Sequence, residues 1–485
     1  MSYSLSGAFR WARSFCPTFN ATKEEKLHFV KYSSSENEKE LCELTNGKFP
    51  HSESDEVGID PKDQINEWQA AWNITNAIQG MVIVSLPYVV LKSGYWAVVA
   101  NVLVAGICCY TGKILVDCLY EEDEHGVRVR VRKSYVEVAD FAFGSVIGGR
   151  MVYVAQIIEL LMTCILYMVL SGDLIIGSFP NLPVDLSSWI MISTAFLIPC
   201  AFLQSLRSVS WSSFWCTVAH LIINAIVLIF CITKAAQWKV KEVKVHLDIW
   251  SFPICLGIIV FSYTSQIFVP TLEGNMVDKS KFSCMMNWTH FAAALFKSLF
   301  GYIGFLTWGS ATKEVITNNI SSEIFKIIIN MFLVIKALFS YPLPYYAAVE
   351  LIDTALFSTG GKAVFPSCLD DKKALKVWAV ALRLGLVLAT MLMAIFVPFF
   401  ALLMGLIGSF TGTMLSLVWP SYFHLYIKWR TLRWYSKALD IGVMILGFVC
   451  CFVGMYYSGI ALYQAIRGLP STPSPASHVP FHKGV

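Results

Sequence analysis

Hydrophobic residues in this chain fall in long, nearly uninterrupted blocks, not in the i, i+3, i+4 pattern of a helix that shows one face to water. About eleven blocks follow one another, at 70–91, 95–118, 151–176, 187–205, 211–234, 253–270, 286–309, 325–348, 377–398, 401–426 and 439–463. A helix rises 1.5 Å per residue, so about 20 apolar residues cross a ~30 Å hydrocarbon layer. One such block is compatible with a buried core helix, but eleven in series predict an all-α integral membrane protein. Residues 1–66 are polar and rich in Ser, Glu and Lys, which predicts a disordered tail. The Pro/Ser-rich stretch 466–485 predicts a second, short tail, leaving 67–465 as the membrane core.

Two blocks are interrupted. The first, WQAAWNITNAIQGMVIVSLPYVVL, carries Asn73, Thr75, Asn76, Gln79 and Gly80 early and Pro87 later. The sixth, FPICLGIIVFSYTSQIFVPTLEGN, carries Ser262, Tyr263, Thr264, Ser265 and Gln266 in mid-block, with Gly257 before and Pro270 after. Backbone released from a helix at membrane depth is tolerated where it is buried in protein or lines a cavity. If the chain is two five-span halves (70–234 and 253–426) plus one extra span (439–463), spans one and six open the two halves. Interrupted spans in corresponding positions point to the binding site of a secondary transporter, because broken helices present main-chain dipoles to a charged solute.

Ionisable residues inside the blocks narrow the chemistry. Glu159 lies about two turns into span three, on one face with Gln156, Thr163 and Tyr167. A carboxyl there is expected to look into the bundle and is a candidate proton carrier. Lys336 sits near the middle of span eight with Ser340 one turn on, and Lys297 near the middle of span seven. An ion pair of Glu159 with either lysine is the structural alternative to a coupling role. His220 and Asn224 share a face of span five and read as packed, hydrogen-bonded residues. Arg383, Lys92 and Lys113, near span ends, are expected to snorkel.

Charged residues make up only 14% of the chain, against about 25% in soluble proteins. The net charge of +4 gives no sign of a nucleic-acid partner, because the cations lie in loops beside the spans. With the N-terminus in the cytosol, Lys and Arg favour cytosolic over far-side loops by sixteen to eight. An odd number of spans then puts the C-terminus on the far side, where Asn319 in Asn-Ile-Ser is a glycosylation candidate. The fourteen cysteines lie mostly inside spans and read as small packing residues. Neither a metal-ligand spacing, a P-loop nor a nucleophile elbow is present, so an enzyme, a metal or a cofactor is not expected. A channel is disfavoured because the chain shows no pore-loop pattern.

The segments WNITNAIQGM, SLPY, CCYTGKIL, AQIIELLMTCILY, GIIVFSYTSQIF, PTLEGNM, CMMNWTH, TKEVITNN and KALFSYPLP, spread over about 67–465, resemble the amino acid/auxin permease family, in particular its vesicular carriers. The resemblance implies two inverted five-helix repeats with a central site at spans one and six. It also implies GABA and glycine as substrates, a synaptic vesicle membrane as the location, and dependence on a vesicular proton pump. Proton antiport is the coupling it implies, with chloride-coupled symport as the alternative. A sodium-coupled plasma-membrane symporter of the same fold is a further reading. Carried onto this chain, the substrate site comprises Asn76, Ala77, Gln79, Gly80 and Met81 on span one and Phe261, Ser262, Tyr263, Thr264 and Gln266 on span six. Tyr341 is a candidate for cation–π contact, and Glu159 and Lys336 for proton coupling.

Overall fold

The structure, a computed structural model, describes residues 65–123, 126–144, 148–202, 206–243, 245, 247–357 and 377–468. The expected tails, apart from 65–66 and 466–468, and most of the basic loop after span eight lie outside them.

Span one forms α1 (Glu67–Ile78), a 3₁₀ segment (Met81–Ser85) and α2 (Leu86–Ser93). Asn66 caps α1 in a reciprocal capping box with Gln69. Span two is α3 (Tyr95–Asp117), followed by a hairpin of β1 (Tyr120–Glu122) and β2 (Arg128–Arg130), then the short α4 (Tyr135–Phe143). Span three is α5 (Gly148–Ser178). Span four is shorter than expected, α6 (Leu186–Ala195) giving way to a 3₁₀ segment at Ile198–Phe202 that contains Pro199. Span five is α7 (Leu206–Thr233).

Span six is broken, into α8 (Phe252–Phe261) and α9 (Val269–Gly274). Span seven is α10 (Phe282–Trp308). Span eight, expected to be continuous, divides at Tyr341 into α11 (Glu323–Ser340) and α12 (Pro342–Phe357). The cause is Pro342, followed by Pro344, since a proline cannot donate to the helix ladder. Span nine is α13 (Val377–Phe396). Span ten starts as α14 (Phe400–Ile407), loosens into π-helical segments at Gly408–Gly412 and Met414–Val418, and ends as α15 (Trp419–Lys428). Span eleven is α16 (Trp434–Ile466).

Among the described residues, eight helices are long and apolar enough to cross a membrane, and α6, α8 and the Thr217–Thr233 part of α7 are shorter apolar helices. Large hydrophobic side chains stay exposed along α16 and α10, including Phe452, Ile445, Phe291 and Leu295, as expected of a surface solvated by lipid. The inner face holds one continuous core that includes Ile74, Ile83, Cys164, Leu170, Ile258 and Met404.

The end of the bundle where span one begins is tied shut. Ile65 bridges to Met276 in a short parallel ladder, its N–H donating to Asn275 O at 2.8 Å. Lys281 pairs with Glu67 at 2.8 Å. Arg130 on the hairpin reaches Glu273 at 3.5 Å and donates to the Pro270 carbonyl at 2.8 Å, while the Tyr120 hydroxyl also donates to Glu273. At the opposite end, Lys239 N–H donates to Leu306 O at 2.8 Å and Ser310 N–H to Glu242 at 2.7 Å.

Glu314, between α10 and α11, accepts from the Ala401 N–H at 3.4 Å. Burial pushes its carboxyl above the usual 4.5, and that hydrogen bond draws it partly back. A raised carboxyl binds its proton more tightly in the folded state, so stability falls as pH rises from the ordinary carboxylate range through the elevated value. Glu314→Gln is therefore expected to flatten the dependence of melting temperature on pH above the ordinary carboxylate value of about 4.5, which thermal scans in a buffer series measure.

Candidate functional site

The two breaks face different helices. At span one the backbone leaves the α-helix at Gln79–Gly80, with Gly80 extended (φ −56°, ψ −170°), and the 3₁₀ turn carries it past membrane depth. Gln79 and Met81 are buried, whereas Asn76, Ala77 and Gly80 are half-buried. At span six, Lys297 reaches across from α10. Its Nζ donates to Ser262 O at 2.6 Å and to Ser262 Oγ at 3.0 Å, and lies 3.6 Å from the centre of the Tyr263 ring. A carbonyl released by the break is thus satisfied by an ammonium rather than by water.

The polar run of span six is spent largely on protein partners. The Tyr263 hydroxyl donates to Asn101 Oδ1 at 3.0 Å. Gln266 donates to Cys108 O and Thr111 Oγ1, each at 3.2 Å, and accepts from Ser416 Oγ at 2.8 Å and Ser265 N–H at 3.0 Å. Thr264 donates back to Val260 O at 3.2 Å. Phe261 is half-buried. Gly257 is a packing glycine inside α8, where an added Cβ would lie 2.3 Å from Gly405 O. The Tyr341 hydroxyl meets Thr390 on α13 at 3.1 Å.

Glu159 is buried on α5 and accepts a hydrogen bond from Thr411 in the first π segment of span ten. It makes no ion pair with Lys297 or Lys336, so the structural-pair alternative is not what the fold contains among the described residues. Lys336 is buried on α11, within electrostatic reach of His220. Beside the breaks, Leu86, Val89, Val90, Asn101, Ile259 and Lys297 line a space of about 10 Å³, room for one water.

With this geometry in place, comparison with known proteins gives the family. A family model described as "Transmembrane amino acid transporter protein" matches residues 63–460. The chain belongs to the transmembrane amino acid transporter family. Within it, the chain is 48% identical over 457 residues to a Xenopus laevis protein named vesicular inhibitory amino acid transporter, covering 93% of this chain and 86% of that one. It is 46% identical over 407 residues to a Caenorhabditis elegans protein named vesicular GABA transporter, covering 84% of this chain and 82% of the relative. Among solved structures, a Na⁺-coupled sialic acid symporter superposes with a TM-score of 0.53 at 11% identity, over 82% of this chain and 90% of that one. At that identity the likeness is one of fold: this family member has a transporter's helical architecture.

Several features of this family member were not foreseen. The π segments of span ten connect two of the site's elements, through Thr411 to Glu159 and through Ser416 to Gln266. Their signal was the run GSFTGT, small and polar inside an apolar block, and π-bulges gather at functional sites. Three helices meet at Asp440 on α16, which is fully buried; its carboxylate contacts His424 Nδ1 at 2.7 Å and accepts from the Tyr110 hydroxyl at 2.6 Å. Replacing Asp440 with Asn removes the charge from this network, and is expected to cost about 1–3 kcal/mol, read as a lower melting temperature of the purified protein.

Two other expectations are corrected, those for Arg383 and for one cysteine. Arg383 does not snorkel: it is buried and pairs with Asp353 at 3.3 Å. Lys113 donates to Asn287 and Lys92 lies over the Tyr88 ring. His220 and Asn224 are buried as expected, and the His220 ring meets the main chain of Gln79 and Gly80 at the first break. Cys284 is disulfide-bonded, so not every cysteine is a packing residue. The Asn319 amide is half-buried, accepting from Lys313 N–H at 2.8 Å and donating to Ala311 O at 2.7 Å.

Proposed function

We propose that this chain loads GABA and glycine into synaptic vesicles by amino acid/proton antiport, powered by the gradient of a vesicular proton pump. The carrying observation is that spans one and six both come apart in mid-bundle, beside a buried carboxyl and a buried ammonium. The names borne by its relatives supply the substrate class and the vesicle. In this reading the core at 67–465 comprises eleven spans, as two inverted five-helix repeats and one additional helix. The N-terminus is cytosolic, the C-terminus is luminal, and Asn319 lies on the luminal side as a glycosylation candidate.

Substrate is held at the breaks, by Asn76, Ala77, Gln79, Gly80 and Met81 on one side and by Phe261, Ser262, Tyr263, Thr264 and Gln266 on the other, with Tyr341 nearby. Glu159 carries the proton, with Lys336 as the second residue of the coupling. Coupling to chloride is the alternative. Coupling to sodium is disfavoured by Lys297, whose ammonium already occupies the Ser262 carbonyl, the type of oxygen a sodium ion uses.

The test is uptake of radiolabelled GABA by the purified protein in liposomes, with pH gradient, voltage, chloride and sodium imposed one at a time. A pH gradient alone is expected to drive concentrative uptake. Uptake that requires sodium, or conductance without saturation, rejects the reading.

A further inference from the structure

At the end of the bundle where the hairpin lies, the turn between spans ten and eleven carries Lys428, Arg430, Arg433 and Lys437, and no Asp or Glu occurs in the sequence between Trp378 and Asp440. Lys428 is engaged, donating to the Tyr120 carbonyl on β1 at 2.8 Å. The hairpin cations Arg128 and Arg132 are held by Asp117 and Glu121. Arg430, Arg433 and Lys437 have no ion pair among the described residues. Their neighbours are aromatic: Lys437 Nζ lies 4.3 Å from the centre of the Trp429 ring, and Arg433 donates to the Tyr435 hydroxyl at 3.1 Å. The rings are themselves uncovered, since Trp429, Trp434 and Tyr435 are each more than half exposed, Trp434 at 80%.

Like charges gathered without a counter-ion raise the local potential and attract a negative partner. The surroundings select among such partners. Exposed Trp and Tyr beside Lys and Arg are the composition of a membrane interface, where the rings sit at headgroup level and the cations meet phosphate. Beyond the turn an apolar stripe continues along α16: Tyr435, Leu439, Leu446, Val449 and Val453 share one face at helical spacing, and all are exposed. A soluble phosphate would use the cations and leave the rings and the stripe idle. An acidic stretch of this chain, such as residues 36–43, would do the same. A lipid with a negative headgroup uses all three.

We propose that the turn between spans ten and eleven is a docking site for the headgroup of an anionic phospholipid. Arg430, Arg433 and Lys437 hold its phosphate, a guanidinium being suited to two oxygens at once. Trp434 and Tyr435 lie at glycerol depth, and the acyl chains follow the α16 stripe. The headgroup thereby clips the ends of α15 and α16 together from outside, where His424 and Asp440 join them inside at 2.7 Å. Only the choice of leaflet, the cytosolic one, rests on the orientation proposed above.

The experiment is thermal unfolding of the full chain in detergent as dioleoylphosphatidylserine is titrated in, against dioleoylphosphatidylcholine and against soluble glycerophosphoserine. Phosphatidylserine is expected to raise the melting temperature saturably, and less so at high salt, while the other two leave it unchanged. Joint replacement by Arg430→Gln, Arg433→Gln and Lys437→Gln is expected to raise the half-saturating lipid concentration about tenfold or more, and Trp434→Ser about threefold. Arg430 is exposed, so Arg430→Gln alone, expected to give about threefold, decides the matter if the triple variant does not fold. Equal stabilisation by both lipids, or variants that keep the wild-type half-saturation, overturns the proposal. A response to glycerophosphoserine equal to that to the lipid makes the patch a soluble-anion site and also overturns it. So does a triple variant that is less stable without lipid while neither protein responds to lipid, which assigns the patch to an acidic segment of this chain. No step involves GABA, so failure of the transport reading leaves the outcome standing.

Discussion

Glu159→Gln is expected to reach the vesicle membrane in normal amount and to lose at least 100-fold of its pH-driven GABA uptake. Folding should survive because glutamine is nearly isosteric and its amide oxygen still accepts from Thr411, the hydrogen bond that anchors the native side chain. The titratable proton is lost. If translocation requires Glu159 to gain a proton on one side and release it on the other, the amide cannot complete the cycle. A 100-fold loss corresponds to about 2.7 kcal/mol of barrier. The measurement is initial uptake into liposomes under an imposed pH gradient, scaled to the protein in each preparation. A variant with wild-type uptake removes Glu159 from the mechanism.

The second large effect concerns packing. Gly408→Ala is expected to destabilise the protein by about 3 kcal/mol or more, the upper end of the overpacking range. An added Cβ at Gly408 would lie 1.9 Å from the Gly257 carbonyl oxygen and 2.8 Å from Phe261 Cβ. The obstructing atom is main chain, so no rotamer change relieves it. The same junction brings Gly405 near Ile254 and Gly454 near Ser409, and small residues here allow α8, span ten and α16 to approach closely. Gly385→Ala on α13 is the control: nothing lies within 4 Å of its added Cβ, and alanine favours a helix, so it is expected to be neutral or slightly stabilising. Thermal unfolding followed by size-exclusion chromatography distinguishes the two.

The sequence made the breaks visible because they consist of local chemistry. Asn76, Gln79 and Gly80 in one apolar block and Ser262 to Gln266 in another are out of place for lipid, and both blocks divide there. Glu159 was legible for the same reason. Its partner was not, since Thr411 lies 252 residues away and nothing local selects it from the other hydroxyls. The same holds for Asp440, whose Tyr110 lies 330 positions distant. Lys297 was recognisable as a buried cation, but its contact with Ser262 depends on how α10 crosses the break, a tertiary fact. Arg383 was misread because hydropathy gives depth along a span, not the side of the helix on which Asp353 waits.

The loosened turns of span ten carry a consequence for changes in chain length. A π turn accommodates an additional residue, and each residue of an α-helix advances about 100° around the axis. Deleting one residue between Gly408 and Gly412 would leave a helix ample for the bilayer and as greasy as before. Its lower half would nevertheless be swung around, carrying Ser416 off Gln266 and His424 off Asp440. Alignments of kindred chains that differ by a single gap at this point would therefore compare helices of like appearance with differently aimed interiors.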